Sequence, residues 1–153
     1  MFNTLLKLFL LLTLLKFDLY SGHLKIQPDK PIENQEVQFQ YFPDHTIDAT
    51  EVKLILYLFK SGSIEPEAFE LNLIKQDSFY FNKFIINSAI AFALIKVLEG
   101  ESYDTNFQEF WDFVIYTNDG IKPKKNSFFF KAYSYLGSLP ENCQRLTSFT
   151  KAI

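Results

Sequence analysis

A single cysteine, Cys143, leaves the chain without an internal disulfide and without a CxxC or zinc-ligand set. It reads as a plain thiol in a tail, with an intermolecular bridge as the minor alternative. Histidine is nearly absent too. His23 lies near the start of the body, and His45 lies in the turn Pro43-Asp44-His45. Asp44 and His45 are neighbours in sequence, which gives no triad geometry. There is no GxSxG, P-loop, HExxH or Rossmann glycine set. With five glycines and six prolines, the chain is not a low-complexity protein. Basic residues do not dominate: 15 Lys and Arg stand against 18 Asp and Glu, for a formal charge of −3. An acidic chain with no basic stripe is a poor nucleic-acid binder.

What the chain has is apolar and aromatic. Apolar residues make up 48% of its 153 residues, enough for one domain with a packed core. The 18 Phe and 8 Tyr favour strands over helices. The first apolar stretch is Leu5–Leu15, interrupted by Lys7 and Thr13 and followed by Lys16, Asp18, Ser21 and Gly22. Its length of about 11 residues falls short of the ~20 that span a bilayer, and the pattern reads as a signal peptide over residues 1–21. Cleavage is expected after Ser21 or Gly22, although Leu19 and Tyr20 make the site imperfect. A buried helix of the folded domain is the competing reading. The lack of polar periodicity and the strand-like pattern from His23 weigh against it. Loss of residues 1–21 removes Lys7, Lys16 and Asp18, leaving 13 basic and 17 acidic residues. No membrane span is expected after cleavage.

From His23 onward the hydrophobic period is two. Strands are expected at Leu24–Gln27, Glu36–Tyr41, Val52–Phe59, around Phe69–Leu73, at Ser78–Ile86, Ile90–Leu98 and Trp111–Thr117, and at Phe128–Tyr135. Val52–Phe59 is apolar on both faces, which makes it central. In Ser78–Ile86 the apolar parity changes, and a bulge near Asn82 is expected to restore it. Asp119-Gly120 predicts a type I′ hairpin turn, after which Trp111–Thr117 pairs with residues beyond Gly120. Phe128–Leu136 also fits helical spacing through Phe129, Ala132, Tyr133 and Leu136. The expected class is all-β: an antiparallel sandwich of about 7–8 strands over residues 22–136, with an irregular tail at 137–153. The expected core includes Val37, Phe39, Leu54, Leu56, Phe69, Leu71, Phe113 and Ile115.

Site chemistry is sparse. Asp44, Asp48 and Glu51 form one acidic loop. Glu99, Glu101, Asp104 and Glu109, with Asn106 between, form another. Neither has EF-hand spacing, so both read as solvated loops. No catalytic, cofactor or metal residue is assigned. Tyr57, Tyr80, Tyr103 and Trp111 are the candidates for an aromatic binding surface, for a glycan or a protein partner. For each of them, a place in or beside the core is the competing reading.

Several segments resemble a known family. "LKIQPDKPIENQEVQFQYFPDHT" is similar to the opening of the immunoglobulin-like N-terminal domain of exported thioredoxin-like proteins of Bacteroidetes. Ile26, Pro28, Pro31, Val37, Tyr41, Pro43 and Thr46 match its pattern, and Asn34 stands where a turn glycine is usual. "VKLILYLF" resembles a central strand of that domain. "FWDFVIYTNDGIKP" resembles a later segment, with Asp119, Gly120 and Pro123 in place. "KAYSYLG" resembles the stretch leading to the next domain. The resemblance covers roughly His23–Leu136 and implies an immunoglobulin-like sandwich. The family's activity lies in a downstream thioredoxin-fold domain with a CxxC, which this sequence does not contain. What it implies here is therefore a non-catalytic, periplasmic or secreted accessory domain, orphaned or truncated, without a cofactor. Its partner would be a protein or an adjacent domain, and a carbohydrate-binding module is the alternative.

Overall fold

The computed structural model describes residues 21–44, 51–107 and 109–136. The leader up to Tyr20, His45, Asp48 and the tail with Cys143 lie outside the described residues.

Among the described residues, eight strands and a helix follow one another: β1 (His23–Gln27), β2 (Glu36–Phe42), β3 (Val52–Lys60), β4 (Glu67–Gln76), β5 (Phe79–Ile85), β6 (Ile90–Glu99), β7 (Ser102–Asp104), β8 (Trp111–Val114) and α1 (Ser127–Leu136). They form a mostly antiparallel β-sheet, curled into a half-barrel. Its strand order is β1-β2-β5-β4-β3-β6-β7, and β8 also pairs with β6. Strands β7 and β8 share one edge of β6, at Val97–Glu99 and at Phe92–Ile95. They behave as one edge strand interrupted by a loop, in which Asn106, Phe107 and Phe110 have positive φ.

The curl comes from β4. Its residues Glu67–Leu73 pair with β3, whereas only Ile74–Gln76 pair with β5. Beyond those three pairs the two halves of the sheet splay apart. The concave side holds the main core. Val37, Phe39 and Tyr41 of β2 meet Leu54, Leu56, Ile95, Val97 and Phe113 from the other half. Alternation explains the arrangement, because every second residue of each strand points inward. Phe39 and Phe113 lie across that core from each other, with ring centroids 6.2 Å apart.

The central position expected for β3 holds, since it lies between β4 and β6. Its outer face, with Ile55, Tyr57 and Phe59, forms a second core with Phe92, Leu94 and Phe130. The cover on this face is α1, which seats Phe130 against Phe59 at 5.5 Å.

Four expectations need correction. Phe128–Tyr135 is not a strand, because this segment lies within α1. The apolar outer face of β3 and β6 needs a covering layer, and a helix supplies it by aiming Ser127, Phe130 and Ser134 inward. No bulge occurs at Asn82, since the β2–β5 register is continuous. Asn82 takes an inward position beside the splay, where its side-chain amide donates to the Asn72 carbonyl at 2.5 Å. The irregularity lies at Phe59/Lys60 instead. Phe69 is 42% exposed rather than buried, and Leu71 is only partly buried. Both face the gap where β5 has turned away from β4, and Phe69 rests on Phe84 with centroids 5.3 Å apart. The other six expected core residues are buried.

The fourth correction concerns the turn after Trp111–Thr117. Trp111–Val114 pairs with β6 rather than with residues beyond Gly120, and only Ile115–Thr117 folds back, on Lys122–Lys124. Thr117 N–H donates to the Lys122 carbonyl at 2.9 Å, and Lys124 N–H to the Ile115 carbonyl at 2.8 Å. Pro123 falls between them at a single bridge to Tyr116, where no amide is required of it. The turn is not type I′, because Gly120 has positive φ while Asn118 and Asp119 do not. The Asp119 carboxylate accepts from the Thr117 hydroxyl at 2.6 Å and from Ile121 N–H at 2.9 Å. These bonds hold its pKa below the usual carboxylate value, the hydroxyl contributing most.

The two edges of the curled sheet come close at both ends. At one end, Tyr116 N–H donates to the Pro31 carbonyl at 2.8 Å and Glu33 N–H to the Tyr116 carbonyl at 3.0 Å. Ile32 and Tyr116 form a parallel bridge there. Lys124 Nζ reinforces this closure, 2.5 Å from Glu33 Oε2, with both side chains largely buried. The other end is closed by polar side chains.

Candidate functional site

The polar closure is built on the last inward residue of β2. Alternation along Val37, Phe39 and Tyr41 carries the Tyr41 ring into the core and its hydroxyl to the core's end. There the hydroxyl lies 2.5 Å from Glu99 Oε1 and 2.7 Å from Asp104 Oδ2. Glu99 ends β6 and Asp104 ends β7, so the hairpin between these strands presents both carboxylates. Asp104 is 7% exposed and Tyr41 fully buried. Asp104 also accepts from Gly22 N–H at 2.6 Å and from Asn106 N–H at 2.9 Å. Ser21 adds bonds to Asn106 and, through its backbone N–H, to Asp44. Trp111 meets the Tyr41 ring edge-on at 6.2 Å.

Burial drives the Tyr41 pKa far above the ordinary phenol value, and the hydrogen bonds to Glu99 and Asp104 push the same way. The phenol is therefore held neutral. A phenol carries one hydrogen, so it donates to one carboxylate at a time while the other faces its lone pairs.

Two aromatic arrangements lie on the outer faces of the sheet, the first of them largely buried. On the β3–β6 side, Lys96 is 2% exposed, with its ammonium 5.5 Å from the centroid of Tyr57 and 3.9 Å from that of Tyr103. Such cation–π contacts let an ammonium lie among rings. On the other half-sheet, His23, Phe42 and Phe79 make a row across β1, β2 and β5. Centroid separations in it are 6.2 and 5.4 Å, and the rings tilt by 32° and 34°.

The four residues expected to form an aromatic surface do not assemble into one. Tyr57 is completely buried under the second core, and Tyr80 is 6% exposed. Tyr103 is half exposed and contacts Lys96. Trp111 is partly buried on the opposite, inner face. The acidic loops divide as well. Glu51 pairs with Lys53 at 3.3 Å, and Glu99 and Asp104 converge on Tyr41. Among the described residues, no group of three or more His, Cys, Asp or Glu is arranged to hold a metal. No described helix is long and apolar enough to cross a membrane.

Sequence reasoning missed the Tyr41 cluster and the His23–Phe42–Phe79 row. A signal for the first existed, because Tyr41 is the polar-tipped residue of an otherwise apolar inward stripe. The row depends on cross-strand register, which one strand's sequence does not reveal. Compared with protein-family models, with curated proteins and with solved structures, the chain gives no match.

Proposed function

We propose that the chain is an exported, non-catalytic accessory domain with an immunoglobulin-like sandwich architecture, and that it acts by binding a protein or an adjacent domain. The strand order supports the architecture. On this reading the groups β1-β2-β5 and β4-β3-β6-β7 of the curled sheet stand for the two sheets of such a sandwich, with β4 beside β3 in the manner of an added edge strand. The parallel approach of Ile32 to Tyr116 brings the first and last edges together. The resemblance of His23–Leu136 to the N-terminal domains of exported thioredoxin-like proteins agrees with this arrangement.

The observation that carries the binding role is on α1. Phe128 and Phe129 are 62% and 53% exposed on a helix already docked through Phe130, so the helix presents a second apolar face. Two adjacent exposed Phe side chains on a rigid element are suited to a partner's apolar surface. A photo-crosslinking residue at Phe129, introduced in the expressing cells, is expected to trap a discrete protein adduct. Phe128→Ser is expected to reduce that yield severalfold with the unfolding midpoint unchanged. Absence of any adduct, or equal yield in the variant, would remove the reading.

A second reading, glycan binding, is favoured by the row His23, Phe42 and Phe79 on one sheet face. Saturable oligosaccharide binding lost in Phe42→Ala would select it.

A further inference from the structure

We propose that the leader is cut between Ser21 and Gly22, and that the new α-ammonium of Gly22 is captured by the buried carboxylate of Asp104. This inference rests on the export reading. Sequence alone left two cleavage positions open, after Ser21 or after Gly22. The fold uses both residues, but Gly22 more tightly: the bonds of Ser21, 3.0 Å to Asp44 and 3.4 Å to Asn106, are longer, and a cut after Ser21 gives them up. The backbone nitrogen of Gly22 lies 2.6 Å from Asp104 Oδ2. Its Cα packs against Tyr41 so closely that an added Cβ would fall 2.5 Å from the hydroxyl oxygen and 2.6 Å from the ring. Cleavage after Gly22 would delete this donor and leave a gap over Tyr41. Cleavage after Ser21 keeps both contacts and places a small residue immediately before the cut.

Charge supports the same position. All the donors to Asp104 among the described residues are neutral: Gly22 N–H, Tyr41 O–H and Asn106 N–H. Glu99 lies on the same phenol. Burying a carboxylate against neutral donors is costly, and a cation in contact offsets that cost. Hydrolysis of the Ser21–Gly22 peptide bond by a leader endopeptidase consumes one water. The carbonyl carbon of Ser21 gains the hydroxyl and leaves as the leader's carboxylate. The nitrogen of Gly22 becomes an amine, protonated at neutral pH. One neutral donor is thereby exchanged for a cationic one at an atom already in bonding position, which turns the hydrogen bond into an ion pair. The cut takes place on the unfolded exported chain, so the burial of Gly22 in the fold does not impede it. Folding then draws the new terminus into the end of the core.

The test starts from the full chain expressed from Met1. N-terminal sequencing of the exported fraction is expected to begin at Gly22. A start at Ser21 or His23 would overturn the inference while leaving export standing. Met1 retained inside the cell would overturn the export reading itself, and the inference with it. The purified exported protein is then treated with acetic anhydride at near-neutral pH, folded and in urea. The folded α-amine is expected to react at least about tenfold more slowly, because the ion pair holds it protonated and buried. Asp104→Asn is expected to abolish that protection wherever the variant folds. Equal rates in the folded and unfolded wild type overturn the capture whatever the variant does.

Discussion

Leu56 lies at the middle of β3 and is completely buried, facing the main core between Phe69 of β4 and Ile95 of β6 in register. Truncation there removes apolar burial and leaves a cavity that the surrounding strands cannot collapse. Leu56→Ala is expected to lower the unfolding free energy by about 2–5 kcal/mol in urea denaturation. A loss under about 0.5 kcal/mol, the range of an uninvolved surface position, would mean that Leu56 does not face the core. Asn34 illustrates a different kind of residue effect. It stands where the resembled family has a turn glycine, and its φ is +62°. Asparagine tolerates that left-handed conformation better than most residues, so the turn keeps its shape without glycine. Phe69 and Leu56 were both expected in the core, each on an apolar face of its strand. What separates them is the divergence of β5 from β4, a property of the sheet's curl that neither strand records.

At the scale of elements, seven strands were legible because they alternate or run continuously apolar over a strand's length and are bounded by turn residues. Asp77, for example, takes a φ of +47° between β4 and β5. Strand β7 was not legible, because three residues, Ser102–Asp104, are too few to show a period. Helix α1 was legible only as an ambiguity. Its run of Phe and Tyr has strand propensity, and the need to cover the outer face of β3 and β6 decided its state. The turn at Gly120 was half legible. Positive φ was expected there and is present, at +66°, but the turn around it is of another kind. A Cβ at Gly120 would lie 3.1 Å from Ile32 Cδ1, so a substitution meets both backbone strain and the segment that closes the sheet. Gly120→Val is expected to cost about 1 kcal/mol or more, since a β-branched residue resists positive φ. The measurement is the denaturant midpoint. A neutral result would show that the turn relaxes freely and takes no part in the closure.

At the scale of the molecule, the half-barrel is held at two ends by different chemistry. One end uses backbone pairing of Pro31–Glu33 with Tyr116 and the Glu33–Lys124 ion pair. The other uses Tyr41, Glu99, Asp104 and the amide of Gly22. None of these contacts follows from local sequence, because the partners are 58–91 positions apart where side chains meet. The second end makes stability depend on pH in a direction fixed by the phenol. Its folded pKa is raised above the value of about 10 that Tyr has in an unfolded chain. Below pH 10 both states hold the proton and the contribution is fully present. Above it the unfolded chain ionises while the native phenol does not, so the contribution is lost as pH climbs. The wild-type thermal midpoint is therefore expected to fall more steeply between pH 8 and about 11 than that of Tyr41→Phe, which has no phenol there to titrate. At pH 7, where the contribution is fully present, Tyr41→Phe is expected to be less stable by about 1–3 kcal/mol, because Asp104 and Glu99 lose a buried donor. Parallel pH profiles for the two proteins would show that the hydroxyl is open to solvent, and that this end of the sheet is not closed through Tyr41.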